Sequence, residues 1–243
     1  MEIGQSNPTN RGVASGIWVN DWDGGIVTGN LLASYGDPTT IANVKGITIE
    51  GHNNDVIVTD NKLINIDGWP GDTFINIDDT VAQELTFSNN EIQLLDGSEL
   101  IVLNTSNSGN TGYSGNDYWG PVSQDNWFTI NDASVSISAY RSATGDNATA
   151  QQLEYVDKNR TIETYINYLG YGTTMSDFIN EVTQQSKFRW RKILTADYIN
   201  TYFREGYCLK SESCSELISK PVPPSLHIPS RTPHGTATNS DGC

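Results

Sequence analysis

Two neighbouring columns of side chains carry the chemistry this sequence offers. Aligned on the apolar strands that precede them, the first column reads Asn20, Glu50, Asp78, Asn104 and the next reads Asp21, Gly51, Asp79, Thr105. If those strands stack as rungs of one sheet, about 4.8 Å apart, Glu50 and Asp78 stand one rung apart, near the carboxyl separation of retaining glycosidases. Asp21 and Asp79 stand two rungs apart, roughly 9.5 Å, at the upper end of the inverting range. Crowded carboxyls push one another's pKa values apart and so can divide acid and base roles. Trp18, Trp22 and Trp69 border the columns and offer flat apolar surfaces of the kind on which sugar rings stack. Asp21, Asp23, Asp78 and Asp79 are also hard oxygen donors suited to Ca²⁺, although no loop of fixed Asp spacing accompanies them. Solvated strand-end carboxylates are the plainer account of the whole set.

β-Elimination from a uronate makes a different demand: a base for the ring proton and a cation against the carboxylate. Within the repeats the basic candidates are Arg11, Lys45, Lys62 and His52. Lys45 is a substrate-binding candidate, and His52, in the turn Gly51-His52-Asn53-Asn54, is a catalytic one. A lone turn histidine is most often a surface residue. The chain has no candidate nucleophilic triad and no phosphate-binding glycine loop.

The elements that position these columns are repeats. Gly16-Ile17-Trp18-Val19-Asn20 aligns with Gly46 to Glu50, Phe74 to Asp78 and Leu100 to Asn104, with starts 30, 28 and 26 residues apart. Ile17 and Val19, Ile47 and Ile49, Ile75 and Ile77, Ile101 and Leu103 alternate with period two and are expected to point inward, leaving Trp18, Thr48, Asn76 and Val102 outward. A second strand follows in each unit and ends on Asn30, Asn61 and Asn90, with a weaker echo at Asn116. These asparagines fall where the chain must turn, at positions that tolerate left-handed backbone, and stacked amides there can bond from coil to coil. A unit this short cannot bury its own apolar face, so the pattern predicts about four coils of an all-β, right-handed parallel β-helix.

Charge and composition narrow the function classes. The formal charge is -15, and residues 1 to 125 hold 17 acidic against 3 basic side chains. Such a surface repels phosphate backbones and argues against nucleic acid as partner. No apolar run approaches the roughly eighteen residues needed to span a bilayer. The N-terminal residues lack the basic flank and apolar stretch of a signal peptide. Cys208, Cys214 and Cys243 all fall in the last fifth, either as free thiols or as one bridge between Cys208 and Cys214 with Cys243 left over.

The chain divides into coils over 1–125, a closing strand region over 126–155, a helical extension over 156–207 and a disordered tail over 208–243. Thr174 or Ser176 can cap a helix carrying Phe178, Ile179 and Val182, and a second helix from Thr195 carries Tyr198, Ile199, Tyr202 and Phe203 before Gly206 stops it. This stripe is expected to dock on the solenoid or form a satellite bundle. Because the repeats begin almost at Met1 without a capping element, they read as the C-terminal part of a longer protein, or as a domain whose first coil a partner caps.

The stacked strand-Asn-strand units over residues 16 to 120 resemble the right-handed parallel β-helix superfamily of polysaccharide lyases and glycoside hydrolases, the pectate-lyase-like fold. Ser138 to Asp146 looks like the region after the last coils of secreted bacterial members, and Asp157 to Tyr207 is similar to their helical extensions. The resemblance implies a secreted or cell-surface protein acting on an extracellular polysaccharide as a lyase or glycosidase, with Ca²⁺ as the one cofactor it suggests. Polygalacturonases carry Asn-x-Asp, Asp-Asp, Gly-His and Arg-x-Lys in that order. Here Gly51-His52 precedes Asp78-Asp79 and Arg-x-Lys is missing, so that active site is not carried over. The alternative expectation is a non-catalytic glycan-binding or adhesin-type solenoid.

Overall fold

A computed structural model describes residues 13–35, 43–66, 73–79, 84–94, 99–105, 111–124, 127–152 and 154–207. Each coil holds three strands rather than two. They are β1 (Val13–Asn20), β2 (Asp23–Thr28) and β3 (Leu31–Tyr35); β4 (Asn43–Glu50), β5 (Asn54–Thr59) and β6 (Lys62–Ile66); β7 (Thr73–Asp79), β8 (Leu85–Ser88) and β9 (Glu91–Gln93); then β10 (Glu99–Thr105), β11 (Thr111–Ser114) and β12 (Asp117–Gly120). The chain passes four times along this path, so about three full turns separate the first pass from the fourth. Parallel sheets run β1-β4-β7-β10, β2-β5-β8-β11 and β3-β6-β9-β12, which makes the architecture a parallel β-solenoid.

Register follows the apolar alternation. Ile17 pairs with Ile47, Ile47 with Ile75 and Ile75 with Ile101, while Val19, Ile49, Ile77 and Leu103 form the adjacent row. Val27, Val58, Phe87 and Tyr113 stack in the second sheet, and Leu32, Leu63, Ile92 and Tyr118 in the third. A one-residue slip would turn every one of these side chains outward, so the core fixes the register.

The asparagines form a continuous ladder inside the corner between the second and third strands. The Nδ2 of Asn30 donates to Asn61 Oδ1 at 2.9 Å, that of Asn61 to Asn90 at 3.0 Å and that of Asn90 to Asn116 at 3.0 Å. Each Oδ1 also accepts the preceding asparagine's backbone N–H, and Asn61, Asn90 and Asn116 donate their second amide proton to the carbonyls of Val27, Val58 and Phe87. Left-handed backbone falls one residue earlier than expected, at Gly29, Asp60, Asn89 and Gly115. The corner is therefore a pair: one residue makes the bend, and the next asparagine bonds across rungs.

A fifth, incomplete coil closes the C-terminal end. It consists of β13 (Phe128–Ile130), the antiparallel β14 (Ala133–Val135), helix α1 (Ile137–Thr144) and β15 (Thr149–Gln152). The helix takes the place of a second strand, and its Tyr140 stacks on Phe128 at 4.5 Å with Tyr118 edge-on to both. That aromatic group covers the apolar cross-section that an open coil would expose. Gly145-Asp146 repeats the corner once more: Gly145 is left-handed and ends α1, and Asp146 Oδ2 accepts from Asn116 Nδ2 at 2.9 Å.

Burial raises the Asp146 carboxyl above its ordinary value, while hydrogen bonds from Asn116 and Tyr140 pull the other way. The folded chain thus holds this proton more tightly than the unfolded chain. The stability it contributes is complete below the ordinary carboxyl value of 3.8 and is lost as pH rises through the elevated folded value. Asp146→Asn removes that dependence and supplies an amide proton for the carbonyl of Tyr113, the position equivalent to Val27, Val58 and Phe87. Denaturant titrations from acidic to neutral pH are expected to show the variant gaining on the wild type as pH rises. A difference independent of pH refutes this account.

The helical extension docks on the outer face of the third sheet. It comprises α2 (Ile162–Tyr168), α3 (Met175–Thr183) and α4 (Ala196–Gly206). Thr161 and Thr174 each close a capping box, Thr174 with Asp177. Tyr155, Phe203 and Tyr207 pack with Ile64, and Tyr155 Oη donates to the carbonyls of Leu94 and Trp119. Among the described residues no helix is long and apolar enough to cross a membrane.

Candidate functional site

The outer face of the first sheet carries Trp18, Lys45 and Glu50 among the sequence-derived candidates, while Asp21, Trp22, Asp23 and His52 lie where the chain passes from the first strand of a coil to the second. The register pairs Asn20 with Glu50 and Asp78 with Asn104, and Ile49 with Ile77 one residue before Glu50 and Asp78. The first column therefore stacks as expected, with Glu50 one rung from Asp78. Asp78 and Asp79 are described as backbone positions at the end of β7, and Trp69 lies outside the described residues.

A crease shapes this face. The pairing of Ser15 with Lys45 and of Ile17 with Ile47 skips Gly16 and Gly46, and Val44 and Ile47 are both buried although three residues apart. Strict alternation would put those two on opposite faces, so the strand bends at Gly46 and brings Lys45 and Thr48 to the same side. The Ser15 hydroxyl lies 2.8 Å from that of Thr48, and Lys45 Nζ reaches to 4.0 Å from Glu50 Oε1. Thr48 faces outward as expected yet is only 1% exposed.

Trp18 stands in register with Thr48 on the neighbouring rung and is 60% exposed. Its indole is a flat apolar surface at the side of the Lys45–Glu50 pair. Trp22 behaves differently: its ring lies so close over Gly25 that a Cβ there would sit 2.6 Å from Cε3. The β2 backbone thus takes up one face of the Trp22 ring.

Asp21 and Asp23 belong to rung-to-rung hydrogen bonding. Asp21 Oδ1 accepts the His52 backbone N–H at 2.7 Å, and its Oδ2 accepts from Asn20 Nδ2 at 3.3 Å. Asp23 Oδ1 accepts from Asn54 Nδ2 at 2.8 Å. His52 is tied to Asp21 through its backbone, and its side chain is exposed. Asn53, missed at the sequence level, is buried and joins the two turns by accepting from the Trp22 N–H at 3.0 Å and donating to the Glu50 carbonyl at 2.9 Å. Its signal was the 31-residue offset from Trp22, which matches the coil period.

For calcium the described donors do not fit. Asp21 and Asp23 point their oxygens at amides of the next coil, and no three acidic, histidine or cysteine side chains converge among the described residues. Compared with known proteins, the chain matches no family model, no curated protein and no solved structure.

Proposed function

We propose that this protein is a polysaccharide-binding β-solenoid of the pectate-lyase-like kind, with the outer face of its first sheet as the platform for an extracellular glycan. The observation that carries this reading is the exposed indole of Trp18 beside a creased strip of ammonium, carboxylate and amide groups from Lys45, Glu50 and Asn20. A pyranose ring has an apolar C–H face and a polar rim, and this strip offers a partner to each. Affinity electrophoresis through gels cast with neutral and acidic polysaccharides tests it. Trp18→Ala is expected to weaken retardation by the retained polymer roughly tenfold. Equal retardation of variant and wild type overturns the platform.

Catalysis as a lyase or glycosidase is a second reading, favoured by the single rung between Glu50 and Asp78 and by the cation set against Glu50. Two carboxyls about 5 Å apart suit a retaining hydrolysis, and Lys45 would neutralise a uronate for elimination. On this reading Glu50→Gln abolishes release of reducing ends or of ultraviolet-absorbing unsaturated products while glycan retardation persists.

A further inference from the structure

The segment between α3 and α4 concentrates cations and exposed aromatics in a chain that is otherwise acidic. It reads Lys187-Phe188-Arg189-Trp190-Arg191-Lys192, and no acidic residue occurs between Glu181 and Asp197. Phe188 is 92% exposed and Trp190 64%, the two most exposed large apolar side chains among the described residues.

The loop is held in this shape. The Arg189 N–H donates to the Ser186 carbonyl at 2.9 Å, closing a turn, and the Arg191 N–H donates to Gln185 Oε1 at 3.0 Å, closing the base. Arg191 folds inward, with Nη1 2.6 Å from Glu181 Oε2 and the guanidinium over the Tyr171 ring. Lys187, Arg189 and Lys192 remain exposed, and no described carboxylate lies within ion-pair distance of them.

We propose that this loop docks on an anionic phospholipid surface, with Phe188 and Trp190 entering the headgroup boundary and Lys187, Arg189 and Lys192 contacting lipid phosphates. Charge complementarity selects the partner. The acidic coils are repelled by such a surface and the loop is attracted, so the field orients the molecule loop first. Exposure selects the lipid over a glycan. A sugar site needs a platform with polar partners around it, whereas Phe188 projects from a turn and has no polar group to direct at a hydroxyl rim. A tip of Phe and Trp within a collar of Lys and Arg suits the boundary between headgroups and acyl chains.

The test uses the full chain and vesicles of phosphatidylcholine alone or mixed with phosphatidylglycerol, read by co-sedimentation. Binding to the anionic vesicles only, weakened by added salt, is expected. Phe188→Ser with Trp190→Ser should reduce partitioning at least about tenfold, and joint replacement of Lys187, Arg189 and Lys192 by Gln about a hundredfold, near fivefold per charge. Circular dichroism and thermal melts of these surface variants should match the wild type. Failure of the wild type to bind anionic vesicles overturns the proposal, as does equal binding by the variants. Retardation by a polyuronate gel that depends on these residues, without vesicle binding, assigns the loop to an acidic glycan instead and overturns it as well.

Discussion

Asn90→Ala is expected to destabilise the fold by about 4 kcal/mol, far more than Asn30→Ala at the end of the same ladder. The Asn90 side chain makes two donations and two acceptances in the buried corner. Alanine leaves the Asn61 backbone N–H and one Asn61 amide proton without partners away from water, and it removes the side-chain bond to the Val58 carbonyl. Each such orphan costs about 1–3 kcal/mol. Asn30 is exposed, so water replaces what its truncation removes, and about 1 kcal/mol or less is expected there. Urea titrations of both variants decide the matter. If the asparagines served only as turn formers, the two losses would be equal, since the left-handed residues are Gly29 and Asn89 rather than the asparagines that follow.

Gly51→Ala is expected to cost about 3 kcal/mol and to disturb the candidate face. Gly51 has φ +76°, and a Cβ there would lie 2.4 Å from Asp21 Oδ1 and 2.6 Å from Asn20 Oδ1. Left-handed backbone costs an alanine about 1 kcal/mol. Expelling Asp21 adds the loss of its charge-assisted bond to the His52 N–H, about 2 kcal/mol. Gly24 supplies the control, with φ +79° and no heavy atom within 4 Å of its added Cβ. Gly24→Ala should therefore show the backbone contribution alone. In the double variant Gly51→Ala/Asp21→Ala the clash with Asp21 disappears and only the contact with Asn20 Oδ1 remains, so the two losses should fall short of additive by more than the usual few tenths of a kcal/mol. Strict additivity in denaturant titrations counts against the proposed packing of Asp21 over Gly51.

The asparagine corner shows how far the sequence reached. The spacing of Asn30, Asn61 and Asn90 was visible because every rung repeats the same bond to the next, which demands the same residue each time. Asp146 was overlooked although it lies 30 residues beyond Asn116 and follows a glycine as Asn30 and Asn116 do. The last member of the ladder needs only to accept, so a carboxylate serves and the identity changes. The third strand was likewise missed. It is short, and its outer residues, Ile64 among them, are buried by the helical extension, so alternation of apolar and polar residues fails there.

Sequence alone determined the repeat, the inward rows and therefore the register, because a period-two core admits one stacking and a single slip would expose all of it. It also placed Glu50 and Asp78 in one column. Only the tertiary structure decided which polar side chains are occupied. Asp21 and Asp23 look like site residues in the sequence, but the next coil's amides hold them. The crease at Gly46 that brings Lys45 toward Glu50, the helix that closes the last coil and the anchored loop that holds out Phe188 and Trp190 were also settled there. These features depend on contacts between residues distant in the chain, and residue type at one position does not specify the partner that a fold brings to it.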